Sequence, residues 1–250
     1  MVSESALLAI PSGVTPEIAS HLLGDAGTAY KLLTSFTQLQ AGDVVLQNDA
    51  CSPIGRCVVQ LCKARGIKTI NIVKDWCVQS CGVTRSPKCE ACGKKKLEEL
   101  GGDIVVSESQ LDGTDIKKTL GEMPPVKLVL NGRGGCAMSE LLKMVKWERE
   151  CVLSARGVDI VTYNESSNRP FTLSASQLMT QSLSLRGFNM NNWLNCAKKE
   201  EVAALVADLA SSVQKGELKF NTKEIKFEEM MSYVEKATEG HCGGTRVVKL

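Results

Sequence analysis

Short apolar segments alternate with longer amphipathic segments along most of the chain. The short segments are rich in β-branched residues and have the length of buried strands, whereas the longer ones repeat apolar residues at helical spacing. This alternation predicts an α/β fold: a Rossmann-like, doubly wound and mostly parallel sheet with helices on both faces. The predicted strands are 44–47, 69–73, 104–106, 126–131, 158–163, 183–188 and 245–250, and the predicted helices include 16–23, 28–39, 54–65, 112–121, 137–147, 200–214 and 227–237.

The segment 42–75, GDVVLQNDACSPIGRCVVQLCKARGIKTINIVKD, contains a strand–turn–helix–strand unit. Ser52 is suited to cap the helix, and Pro53 suits its first position because no amide hydrogen is needed there. Gly66 is suited to end the helix. Asp75 follows the second strand, where dinucleotide-binding units contact the adenosine ribose. The order of these elements predicts a dinucleotide-binding βαβ unit.

Length, composition and charge exclude several function classes. The 250 residues suit one large domain, and 43% hydrophobic with 23% charged residues is the balance of a globular chain with a sizeable core. The formal net charge of +2 offers no basic field for direct nucleic-acid binding. No apolar run reaches the about 18 residues of a membrane span, and the first residues lack the basic region of a signal peptide.

Eleven cysteines are many for a chain of this length. Seven are scattered, which is typical of small buried apolar residues. The other four lie in the stretch DWCVQSCGVTRSPKCEACGKKK (75–96) with the spacing C-x3-C-x7-C-x2-C. This spacing is compatible with a structural zinc site, and unligated thiols or a disulfide pair are the alternative. The predicted metal ligands are Cys77, Cys81, Cys89 and Cys92.

Four stretches carry a resemblance to a known family: GTAYKLLTSFTQLQAGDVVLQN (27–48), GIKTINIVKD (66–75), ARGVDIVTY (155–163) and LMTQSLSLRGF (178–188). In this order they resemble the mitochondrial trans-2-enoyl-thioester reductases, which form a zinc-free branch of the medium-chain dehydrogenase/reductase superfamily. The resemblance implies NADPH-dependent reduction of a trans-2-enoyl thioester, on acyl carrier protein or coenzyme A, in mitochondrial fatty acid synthesis. It also implies a homodimer or a larger protein assembly.

The resemblance implies a cofactor site made of loops that follow strands. The loop NDACSPIG would accept the pyrophosphate at a helix N-terminus, and the residues after the second strand would meet the 2′-phosphate. The turn NGRGG (131–135) suits close approach by a nicotinamide ribose, and an ordinary strand-to-helix turn is the alternative. In the family a preceding GroES-like domain supplies the catalytic tyrosine, so no catalytic residue is assigned here. The residues assigned to NADPH are Ser52, Ile54, Gly55, Lys74, Asp75, Tyr163 and Phe188.

Three loops depart from the family pattern. Pro53 replaces a glycine and has no N–H to offer a phosphate. Asp49 would place a negative charge near the pyrophosphate, unless it points to solvent or caps the helix. Glu165 replaces part of a glycine-containing turn after the fifth strand, and Trp76 replaces an arginine beside the 2′-phosphate. These departures support an alternative function, a non-catalytic descendant that acts as a structural subunit of a larger mitochondrial assembly and carries a zinc knuckle.

The expected domain organisation has three parts. Residues 1–41 form an entry segment with helices, as a remnant of the catalytic domain. Residues 42–215 form the Rossmann-like nucleotide-binding domain, with the cysteine-rich insert at 76–93. Residues 216–250 form a C-terminal segment that returns to the remnant of the catalytic domain.

Overall fold

The computed structural model describes residues 7–74, 76–79, 82–85, 87–111, 118, 122–144, 157–238 and 245–249, and at some of these positions, among them all those from 76 to 92, it describes the backbone alone. The strands are β1 (Val44–Gln47), β2 (Lys68–Val73), β3 (Trp76–Gln79), β4 (Gly82–Arg85), β5 (Ile104–Ser107), β6 (Val126–Asn131), β7 (Asp159–Thr162), β8 (Ser184–Gly187), β9 (Thr222–Lys226) and β10 (Thr245–Lys249).

Six of these strands form one sheet in the order β5-β2-β1-β6-β7-β8, and all neighbours in it are parallel. When only these six are numbered along the chain, the order is 3-2-1-4-5-6, which is the order of a dinucleotide-binding Rossmann fold. The direction of winding reverses between β1 and β6, so a crevice is expected outside the carboxyl ends of these two strands. The predicted fold class is confirmed.

Two of the α-helices that the structure describes precede β1, and the others lie between strands along the chain. The α-helices are α1 (Pro16–His21), α2 (Thr28–Thr34), α3 (Pro53–Ala64), α4 (Pro87–Leu100), α5 (Gly135–Met144), α6 (Ala175–Thr180), α7 (Met190–Cys196), α8 (Lys199–Gln214) and α9 (Met230–Thr238). A π-helical segment, Leu22–Gly27, joins α1 to α2, and 3-10 turns occupy Glu108–Gln110 and Phe227–Glu229.

The core consists of one apolar layer on each face of the sheet. Successive residues of a strand point to opposite faces, and accordingly Val45 belongs to one buried cluster and Leu46 to the other. The first cluster also contains residues of α2, α3 and α8, for example Leu209. The second contains Met138 of α5. Both faces are therefore covered, as a parallel sheet requires.

Some helices and strands differ from the sequence prediction in where they end or in which sheet they lie. The expected helix 28–39 ends at Thr34, and most of the expected helix 112–121 lies outside the described residues, as does the end of 137–147. The predicted terminal strand is present as β10, which pairs in parallel with β9 in a small separate sheet. No helix in the described ranges is long and apolar enough to cross a membrane.

An antiparallel hairpin, β3–β4, follows β2 directly. The cysteine-rich stretch therefore begins as this hairpin and continues into α4, which starts at Pro87. This arrangement differs from a loop-like knuckle, because the C-x2-C pair Cys89 and Cys92 falls within the first turns of a helix.

Candidate functional site at the carboxyl edge of the sheet

The loop after β1 leads into α3 through a very close contact between loop and helix. Ser52 caps α3, and its side-chain oxygen accepts a hydrogen bond from the backbone N–H of Gly55 at 3.1 Å. A Cβ atom at Gly55 would lie only 2.6 Å from the carbonyl oxygen of Ala50. Only glycine fits this position without a backbone shift, which is the requirement of the last glycine in a dinucleotide-binding loop.

The first turn of α3 has fewer free backbone donors than such a loop normally offers. Pro53 has no N–H, and the N–H of Gly55 already donates to Ser52. The side chain of Ile54 packs against the apolar cluster that contains Val58. The loop therefore retains its shape, although part of its hydrogen-bonding capacity is used within the protein.

Asp49 forms an ion pair with Lys74 across the ends of β1 and β2. The distance from Lys74 Nζ to Asp49 Oδ1 is 3.2 Å, and the carboxylate is 8% exposed whereas the lysine side chain is 37% exposed. Asp49 adopts a positive φ of 57°, which aspartate tolerates better than most residues. The carboxylate is thus turned inward onto Lys74, and the alternative in which Asp49 points to solvent is wrong. Asp75 lies outside the described residues.

Two buried asparagines organise the turn after β6. The side chain of Asn48 donates to Asn131 Oδ1 at 2.8 Å, and Asn48 Oδ1 accepts from the backbone N–H of Gly132 at 2.7 Å. Asn131 Oδ1 also accepts from the N–H of Gly134, and its amide donates to Thr162 Oγ1. These amides connect the carboxyl ends of β1, β6 and β7, on both sides of the switch point.

A second loop, 163–169, lies directly on this turn. The N–H groups of Ser166 and Ser167 donate to the carbonyl oxygens of Gly132 and Arg133. A Cβ atom at Gly134, which has a φ of 73°, would lie 2.9 Å from the carbonyl oxygen of Arg169. The glycines of NGRGG are therefore explained in part by loop packing within the protein, in addition to any role toward a ligand.

Tyr163 is the side chain that this packing brings closest to the loop after β1. Its hydroxyl is buried, and a Cβ atom at Gly132 would lie 2.5 Å from it. Burial raises the pKa of Tyr163 above its usual range, and the charge of Asp49 raises it further. Ser52 is close enough to oppose this increase, yet the hydroxyl has no hydrogen bond of normal geometry to any described residue. The hydroxyl is therefore enclosed by the protein, close to Gly132 and Ser52.

Phe188 lies on the far side of β7 from the loop after β1. It follows β8 at the edge of the sheet, and its ring packs edge-on against Phe36 with the ring centroids 6.0 Å apart. Its backbone N–H donates to the carbonyl oxygen of Thr162. The structure therefore brings Ser52 and Tyr163 together at the switch point and places Phe188, partly buried, against the first apolar cluster.

The cysteine-rich helix α4 approaches the loop after β1. A Cβ atom at Gly93 would lie 2.8 Å from Cys51 Sγ. Leu97 of α4 packs in a buried cluster with Ala50 and Val73, beneath the loop. Among the predicted metal ligands, Cys81 and the side chains of Cys77, Cys89 and Cys92 lie outside the described residues. Among the side chains that are described, no group of histidine, cysteine and carboxylate residues is arranged to hold a metal ion.

The residues at this edge fit a dinucleotide in shape. The contact at Gly55, the paired turn and loop at 131–135 and 163–169, and the unpartnered hydroxyl of Tyr163 all lie at the switch point. The fit in charge is poorer, because Asp49 places a carboxylate beside Lys74. Sequence reasoning missed the amide network. The sequence indicated this network only by an asparagine at the end of each of two mostly apolar segments, Asn48 directly after β1 and Asn131 at the end of β6.

Comparison with known proteins identifies relatives that span almost all of this chain. It is 34% identical over 248 residues to the mitochondrial enoyl-[acyl-carrier-protein] reductase of Dictyostelium discoideum, covering 99% of this chain and 65% of that protein. It is 35% identical over 221 residues to the Arabidopsis thaliana protein of the same name, covering 88% and 54%. The human protein of that name is 32% identical over 216 residues, covering 86% and 52%. The sequence matches no protein-family profile.

Solved structures share the fold at lower identity. An enoyl thioester reductase from Candida tropicalis, in a mutant form, superposes with a TM-score of 0.77 at 20% identity, covering 96% of this chain and 63% of that one. A complex described as Etr1p with NADP and crotonyl-CoA gives the same values. A Bacillus thuringiensis protein described as an NADPH:quinone reductase superposes at 0.78, with 17% identity, covering 100% and 69%.

The chain spans between about half and two thirds of the length of the curated relatives it matches. Within that span, the similarity includes the strands, the loop after β1 and the turn after β6 described above. Over that span the chain is similar to the mitochondrial enoyl-[acyl-carrier-protein] reductases, and it shares the Rossmann-like fold of a solved enoyl thioester reductase.

Proposed function

We propose that this chain binds NADPH at the carboxyl edge of its sheet, as the dinucleotide-binding part of a trans-2-enoyl-thioester reductase. The observation that carries the proposal is the β1–α3 unit. Gly55 contacts the Ala50 carbonyl so closely that a side chain is excluded, at the switch point of a 3-2-1-4-5-6 sheet. This contact is a requirement of a dinucleotide-binding loop.

The roles of the residues follow from their positions. The loop 48–55 would approach the pyrophosphate, Lys74 would face the adenosine ribose, and Tyr163 would support the turn after β6 by packing on Gly132. NADPH supplies a hydride to the β-carbon of an enoyl thioester when it is bound. The chain's own residues bind and orient the dinucleotide, and none is assigned as the proton donor.

The substrate, the compartment and the partners are extended from the relatives. Their names specify an enoyl-[acyl-carrier-protein] and the mitochondrion. One solved relative is described as an Etr1p/Etr2p heterodimer. We propose the same substrate class and compartment for this chain, and an assembly of at least two subunits.

The test is a titration of the purified chain with NADPH, followed by fluorescence or calorimetry. A dinucleotide site predicts saturable binding with one NADPH per chain, within the range below about 1 mM that is usual for enzyme substrates. Absence of saturable binding at about 1 mM would refute the proposal. That result would favour the alternative, a non-catalytic structural subunit, which the proline at 53 and the buried Asp49 carboxylate both allow.

A further inference from the structure

We propose that Asp49 determines coenzyme selectivity in this chain, by neutralising the lysine that would otherwise attract the 2′-phosphate of NADPH. The inference rests on the proposed dinucleotide site. It predicts that the chain discriminates weakly between NADPH and NADH, and that loss of the Asp49 charge creates a preference for NADPH.

The position of the ion pair is the first part of the argument. Asp49 follows β1 and Lys74 follows β2, and these strands are neighbours in the sheet. In a dinucleotide-binding unit, the end of the second strand contacts the adenosine ribose, and a basic group there accommodates a 2′-phosphate. Lys74 is a basic side chain at that point, and the structure pairs it with Asp49 at 3.2 Å.

The geometry of Asp49 keeps its carboxylate in place. Its backbone is in the left-handed region, with a φ of 57°, and the N–H of Ser52 donates to its carbonyl oxygen at 2.9 Å. Its side chain is only 8% exposed. A buried carboxylate depends on its partner for stabilisation. A competing anion therefore displaces Lys74 from Asp49 less easily than it would displace a lysine from an exposed carboxylate.

The charges explain the effect on selectivity. A phosphate monoester carries between one and two negative charges at neutral pH. With NADPH bound, Lys74 would face two anions at once, and the carboxylate and the phosphate would repel each other. With NADH bound, the ribose 2′-hydroxyl is neutral, so the ion pair stays intact. Any repulsion between Asp49 and the pyrophosphate is common to both coenzymes, so Asp49 penalises NADPH relative to NADH through the 2′-phosphate alone.

The chain offers a matched control. Asp159 is also 8% exposed and also forms an ion pair with a basic side chain, at 2.8 Å from Arg186. However, Asp159 is the first residue of β7, so it lies at the amino edge of the sheet, opposite the candidate site. A purely structural role of a buried aspartate would be shared by both positions, whereas an effect on coenzyme selectivity would be confined to Asp49.

The experiment measures dissociation constants for NADPH and NADH with the wild-type chain, Asp49→Asn and Asp159→Asn. Asparagine keeps the shape of aspartate and tolerates the same backbone conformation. We expect the two wild-type constants to agree within about threefold, and Asp49→Asn to shift their ratio at least about tenfold toward NADPH. Asp159→Asn should leave the ratio unchanged. Lys74→Ala in the Asp49→Asn background should abolish the gain, because the gain requires the released ammonium group.

Two results would overturn the inference. If both coenzymes bind and the ratio in Asp49→Asn stays within about twofold of the wild-type ratio, the inference fails while the dinucleotide site stands. If neither coenzyme binds to the wild-type chain or to Asp49→Asn, the proposed function and the inference fail together. Should Asp49→Asn fold poorly, Asp49→Gly removes the same charge and suits the positive φ.

Discussion

The substitution Gly55→Ala tests the contact on which the dinucleotide-binding loop depends. The added methyl group would lie 2.6 Å from the Ala50 carbonyl oxygen and 2.8 Å from its carbonyl carbon and Cα. All three atoms belong to the backbone, so no side-chain rotation can relieve the clash. The loop after β1 must then move away from α3, together with the groups that would contact the pyrophosphate.

The expected change in the free energy of unfolding on Gly55→Ala follows from two opposing effects. Overpacking of a well-packed site costs about 1–3 kcal/mol, and replacing glycine by alanine in a helix returns up to about 1 kcal/mol. We expect a net loss of about 1–2 kcal/mol in the free energy of unfolding. In a chain of this size that loss corresponds to a fall of about 2–8 °C in Tm. Because the displaced loop is the candidate pyrophosphate site, NADPH affinity should fall more than tenfold, roughly 1.4 kcal/mol or more.

Gly24→Ala is the matched control. Gly24 also lies in a helical segment, it is exposed, and a Cβ atom there would have no neighbour within 4 Å. Chemical denaturation and NADPH titration of the two variants should show stability and affinity near wild type for Gly24→Ala and losses in both for Gly55→Ala. Equal stability and equal affinity of the two variants would refute the reasoning, since the contact at Ala50 would then be unimportant.

Three further predictions concern the amide network and the cysteines. Asn48→Ala removes the acceptor of the Gly132 N–H, so chemical denaturation should show a loss of about 1–3 kcal/mol in the free energy of unfolding. Asn191 is exposed, so Asn191→Ala should change the free energy of unfolding little. Equal losses in the two variants would contradict the proposed importance of the amide network. Burial raises the pKa of Cys62 to about 12 and that of Cys57 further. Since only the thiolate reacts, mass spectrometry after alkylation at pH 8 should find both unmodified and the exposed Cys136 modified. Labelling of Cys62 in the folded chain as fast as Cys136 would be inconsistent with its burial. Zinc at the predicted four-cysteine site would give about one equivalent of metal in freshly purified reduced protein, and less than about half an equivalent would count against it.

The order and type of the elements in the large sheet could be predicted from sequence because a parallel sheet buries both faces of its strands. Such strands appear as short, mostly apolar runs, as in 69–73 and 126–131, and the helices between them repeat apolar residues at helical spacing. The capped start of α3 was also predictable, since Ser52 and Pro53 act through their own local chemistry.

The hairpin β3–β4 was not predicted, because its strands, WCVQ and GVTR, are not apolar runs and the cysteine pattern there indicated a metal site instead. The contacts within the site were equally out of reach. Asp49 and Lys74 are 25 positions apart in sequence, and they meet only because β1 and β2 are neighbours in the sheet. The hydrogen bond between Asn48 and Asn131 likewise depends on the pairing of β1 with β6.

The central claim is that NADPH binds at the switch point of the sheet, and hydrogen–deuterium exchange of the chain with and without NADPH tests it most directly. The account predicts slower exchange with NADPH in the three segments that meet there, 48–56, 131–135 and 163–169. It predicts no change in β9 or α9, which belong to the small separate sheet and the helix that follows it. Unchanged exchange in all three segments at saturating NADPH, or protection confined to β9 and α9, would contradict the account.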